Sequence, residues 1–96
     1  MPKFLAEACD AEIVESFFAG YPGLDHLRVR RRADLLILES GSTENPQRHA
    51  RLRRVTVHLW RMEMPAGSNR WSATPFRDQL NSLLEMLVRQ FPWTLA

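Results

Sequence analysis

The chain holds little of what usually reports chemistry in a sequence. It has one cysteine, Cys9, so an internal disulfide and a CxxC-type zinc site are both excluded. Of thirteen basic residues only Lys3 is lysine, and the rest are arginine. The three histidines, His26, His49 and His58, have no second His or Cys at metal-ligand spacing, although a meeting of His49, His58 and Glu63 across two strands can be drawn. Ser40, Ser42 and Thr43 lie in a polar stretch without a GxSxG elbow or a phosphate-cradling GxxxxGK[ST] loop. No apolar run reaches membrane-spanning length, and Glu7, Asp10, Glu12 and Glu15 occupy the region where a secretory leader needs an unbroken apolar core. A cytoplasmic protein without metal, cofactor or catalytic constellation is expected. Aromatic residues are missing from residues 26 to 54, which argues against stacking of single-stranded bases along that stretch.

What is present is ordinary for a globular domain. The hydrophobic share of 45% and charged share of 25% argue against disorder. Ninety-six residues suffice for one core without staples, so a single domain over 1–96 is expected. The net charge of +2 conceals an asymmetry. Residues 1–20 set Lys3 against four acids. Residues 21–61 set nine arginines against Asp25, Asp34, Glu39 and Glu44. A basic middle of this kind steers polyanions or answers an acidic face of the same fold.

Periodicity supplies the elements. Asp10 is a candidate N-cap for a helix carrying Val14, Phe17 and Phe18 and ended by Gly20 and Pro22. From Leu27 the period becomes two, with Leu27, Val29, Ala33, Leu35 and Ile37 on one parity and Arg28, Arg30, Arg32 and Asp34 on the other. A break at Ala33-Asp34 would make a tight hairpin; one long bent strand is the alternative. Residues 39–47 form a polar loop. A second extended run, 51–64, changes phase between Val55, Val57, Leu59 and Trp60, Met62, Met64, which suggests a bulge or a strand covered on both faces. Residues 65–69 make a turn, and 70–76 a short further strand. Leu80, Leu83, Leu84, Leu87, Val88 and Phe91 mark one face of a closing helix, capped by Thr74 with Pro75 or by Asp78. The fold class is therefore α+β: an antiparallel three- or four-stranded meander, an N-terminal helix, and a long amphipathic C-terminal helix packed on one face.

Helix, three strands, helix over roughly residues 10 to 91 is similar in element order to the double-stranded-RNA-binding domain. That family binds RNA through a lysine-rich start to its second helix. Here the position reads TPFRDQLN, with Arg77 as the only base beside Asp78, and the family's Gly-Pro-x-His loop is absent, so the family's function does not carry over.

Two surfaces remain as candidates. Arg28, Arg30 and Arg32, with Arg51, Arg53 and Arg54 on a neighbouring strand, form a basic face for phosphates or an acidic partner, or else the solvated side of a one-sided sheet. Trp60 and Met62, joined by Trp93 beyond Pro92, form a candidate interface for a second copy or another protein, since Trp and Met suit such contacts. The leading expectation is a non-catalytic interaction module, self-associating or an accessory subunit. A nucleic-acid-backbone binder is the alternative, and a small RNA-cleaving toxin using Arg, His and Glu the third.

Overall fold

The computed structural model describes residues 4–67 and 70–95. Helix α1 (Ala8–Ala19) is followed by strands β1 (Arg28–Arg32), β2 (Leu35–Ser40), β3 (Gln47–Arg54), β4 (Trp60–Pro65) and β5 (Trp71–Asp78). Helix α2 (Leu80–Gln90) and a short 3-10 turn (Pro92–Leu95) complete the chain. All strand pairs are antiparallel, in the order β1-β2-β3-β4-β5. The α+β class and both helices are as expected, but the sheet has five strands rather than three or four. The likeness in element order to the double-stranded-RNA-binding domain ends with that count.

The extra strands come from the two long runs. The first breaks at Ala33-Asp34, where Ala33 takes a left-handed conformation (φ 53°) and Arg32 pairs with Leu35. The second is two strands and a hairpin, not a bulged strand. Val55 and Thr56 N–H donate to the Leu59 carbonyl (2.8 and 3.1 Å), and Arg54 then faces Trp60. The loop VTVHL contains no Gly, Pro, Asn or Asp, so the turn carries no compositional mark. Its closure comes from the Arg54 guanidinium, whose Nη2 donates to the Val57 carbonyl at 2.7 Å. The turn at 65–69 includes Ser68 and Asn69, which lie outside the described residues.

The helices cover one face. Val14 and Phe18 of α1 and Leu80, Leu83, Leu84 and Leu87 of α2 pack on Leu36, Leu38, Ala50, Leu52, Trp60 and Met62. Two capping expectations change. Asp10 sits three residues inside α1 and accepts from Glu7 N–H (2.9 Å) in a reciprocal capping box, so Glu7 is the cap. Thr74 and Pro75 belong to β5, and Gln79 occupies the N-cap of α2, its N–H bonded to the Asp78 carboxylate (2.7 Å).

A bulge opposite Leu38 and Glu39 makes His49 the extra residue of β3, so that His49 and Ala50 both turn inward. His49 Nδ1 donates to the Thr94 carbonyl and Nε2 accepts from Ser40 Oγ, both at 2.7 Å. Thr94 Oγ1 returns a bond to the His49 carbonyl, and His26 Nε2 donates to that of Leu95 (2.9 Å). Leu95 thereby seals one end of the core. No helix among the described residues is long and apolar enough to cross a membrane.

Candidate functional site

Side chains alternate along each strand, so the sheet's outer face is fixed by the residues that do not enter the core. The register aligns them in rows. One row reads Arg30, Ile37, Arg51, Glu63, Ala73 and the next Arg32, Leu35, Arg53, Arg61, Arg77. Glu39 stands between Arg28 and Arg48. Eight arginines thus share a face with two glutamates. Ile37 is buried here although it lies opposite the helices, because long arginine stems close over it.

Both glutamates are buried beneath the guanidiniums. Glu39 accepts from Arg28 Nε and Arg30 Nε, each at 3.4 Å. Glu63, 3% exposed, accepts from Arg51, from Arg53 (3.2 Å) and from Arg61 (2.7 Å). Burial pushes its carboxyl up, but the hydrogen bonds from Arg61, Arg51 and Arg53, with the charge of Arg51, more than offset this and hold it below the usual carboxylate range. Arg53 moves oppositely: burial lowers it, while the bonds and charges of Glu63 and Asp34 raise it further.

The second row keeps its excess charge. Arg53 faces Arg61, and Arg61 faces Arg77, as direct cross-strand partners. Like charges placed so are destabilising by some tenths of a kcal/mol each. Glu63 answers Arg53 and Arg61, yet Arg61 Nε is buried without a partner among the described residues. Arg32 and Arg77, at the row's ends, are exposed and make no ion pair or side-chain hydrogen bond among the described residues. A cleft of about 500 Å³ opens on this face between Arg30, Arg32, Arg48 and Arg51, with Trp71 at its end. Arg51 lies 4.6 Å and Arg48 5.5 Å from the centre of the Trp71 ring.

Of the six arginines expected on this face, Arg28, Arg30, Arg32, Arg51 and Arg53 are there. Arg54 is not. It shares the inward parity of Leu52, stacks 5.3 Å from the Trp60 ring, and bonds the Leu5 carbonyl (2.9 Å) and Asp10 (3.1 Å). It is a clamp between α1 and the β3–β4 hairpin. Trp60 and Met62 are likewise interior, 2% and 0% exposed, and offer no surface to a partner while the domain is folded. The reason is the hairpin: it restores the core phase of β4 to the residues read as outward. Trp93 does emerge, 69% exposed.

Arg48, Arg61 and Arg77 join the face without having been among the six candidates. The signal lay in symmetry: folding the 51–64 run about Val57 sets Arg53 on Arg61 and Arg51 on Glu63. The aromatic residues that the basic stretch lacks arrive from elsewhere, Trp71 from β5 and Trp93 from the last turn. His49, His58 and Glu63 do not meet, since His58 is exposed between β3 and β4 and Glu63 lies on the outer face. His49 instead faces His26, ring centres 5.8 Å apart. The Ser40–His49 pair has the spacing of nucleophile and base, but both side chains are buried, and the second imidazole nitrogen ties the Thr94 carbonyl to β3. Among the described residues no three His, Cys, Asp or Glu side chains gather as metal ligands. No protein-family model, no curated protein and no solved structure matches this chain.

Proposed function

We propose that the domain binds the phosphate backbone of a nucleic acid on the outer face of its sheet. The observation that carries this is the row Arg32, Leu35, Arg53, Arg61, Arg77: three cations at neighbouring cross-strand positions and a fourth beyond Leu35, with neither end paired among the described residues. A face that needed only solubility would alternate sign along such a row. Four interstrand steps of about 4.8 Å make it about 19 Å long, enough to span several consecutive phosphates of one strand. Both sheet edges disfavour the alternative of strand addition by a partner chain. β1 is RVRRR, and β5 carries Pro75 beside an irregular register.

Salt tests it. Four engaged arginines give a log–log slope of roughly −3 to −4, a loss of about 100-fold in affinity between about 50 and about 200 mM salt. Arg32→Gln with Arg77→Gln should keep the parent's stability, since neither side chain is paired among the described residues, and should flatten the slope by about 2. Binding of a labelled oligonucleotide that ignores salt, or is unchanged in the double variant, would overturn the proposal. A protein partner is the second reading, favoured by the exposed Trp93, and its binding would survive the salt that removes a polyanion.

A further inference from the structure

Trp93 is an apolar ring fixed in water. Its exposure of 69% is not that of a loose segment, because Phe91, Thr94 and Leu95 around it are tied down. Leu95 is buried, Thr94 exchanges two bonds with His49, and His26 holds the Leu95 carbonyl. The ring itself ends an edge-to-face series: Phe76 to Phe91 at 5.6 Å, then Phe91 to Trp93 at 5.3 Å. A rigid aromatic platform loses little entropy when something stacks on it.

Its position gives the occupant. Trp93, Phe91, Met64 and Pro65 line a cleft with Gln47 and Arg48, and Arg48 also lines the basic cleft that holds Arg30, Arg32 and Arg51. The aromatic ledge and the cationic face are therefore one continuous surface, joined at Arg48. Phosphates satisfy one part and a flat π-face the other, and an unpaired nucleotide presents both. Resting on the backbone-binding function proposed above, we infer that the domain prefers single-stranded nucleic acid and that Trp93 stacks on an unpaired base at the β3 end of the arginine face.

Three probes of equal length separate the contributions: an oligo-dT strand, an abasic strand with the same phosphates, and a duplex. The parent should bind the oligo-dT strand tightest. Trp93→Ala should weaken that binding roughly 5- to 150-fold, toward the abasic level, while leaving abasic binding and its salt slope unchanged. Trp93→Phe should restore most of the loss, and circular dichroism of both variants should match the parent because the ring is outside the core. Equal affinity of the parent for all three probes, or no effect of Trp93→Ala on the oligo-dT strand, overturns the stacking inference and leaves backbone binding standing. Failure to bind any probe, with capture of a glutamate-rich peptide in their place, overturns both.

Discussion

Glu63→Gln is the sharpest probe of the outer face, because one carboxylate there holds three guanidiniums. The variant keeps the shape and one acceptor oxygen and removes the charge. Breaking a buried ion pair by deleting one partner costs about 3 to 5 kcal/mol. Here the side chains of Arg51, Arg53 and Arg61 are 17%, 31% and 26% exposed, so water recovers part of their solvation. About 2 to 3 kcal/mol is expected, a fall of roughly 10 to 20 °C in Tm for a domain this size. The pH dependence follows from the direction of the shift. The folded carboxyl lies below its ordinary value, so its contribution is complete above the unfolded pKa of about 4.3 and is lost as pH falls through the folded value. Thermal melts of parent and variant should differ most near neutrality and converge on acidification. Polyanion affinity should move the other way and rise, since the face gains one net positive charge. A gap under about 2 °C at neutral pH, against the roughly 4 to 8 °C expected per kcal/mol, would show that Glu63 does not organise the arginines. A gap that persisted in acid would show the same.

Other perturbations address the remaining layers. Leu84→Ala, in the buried stripe of α2, should cost about 2 to 5 kcal/mol in a denaturant titration, and a melt indistinguishable from the parent's would mean that the stripe is not core. Arg54→Met should cost about 2 to 4 kcal/mol, because it leaves the buried Asp10 carboxylate without its cation and opens the β3–β4 hairpin. Its binding to oligonucleotide should be unchanged at temperatures where it is folded, since Arg54 does not belong to the outer face.

What could be read from residues alone was whatever a period or a cap announces. The closing helix was legible because six apolar positions keep a helical spacing unbroken, and the β1–β2 hairpin because a parity run exceeded the length of a strand. The β3–β4 hairpin was hidden: VTVHL has the composition of a strand, and only the fixed phase of Trp60 and Met62 betrayed the reversal. That error made core residues look like an interface and put Arg54 on the wrong side. The arginine face was half visible, as five of its eight members were candidates from strand parity alone. Arg61 and Arg77 became its members only through cross-strand register, which no local pattern encodes.

Because the five strands lie across the sheet in the order they occur in the chain, each pairing closes over a short loop at small entropic cost, which favours rapid formation. The ties that span the sequence, Arg54 to Asp10 over 44 residues and His49 to Thr94 over 45, fasten helices and chain end onto strands that are already neighbours. During synthesis the sheet is complete in sequence once Asp78 has left the ribosome. Its inner face, with Leu36, Leu38, Leu52 and Met62, then lacks the cover that Leu83, Leu84 and Leu87 supply. The interval before α2 emerges is when this chain is most open to aggregation, and an attached holdase or a slow translation step would act there.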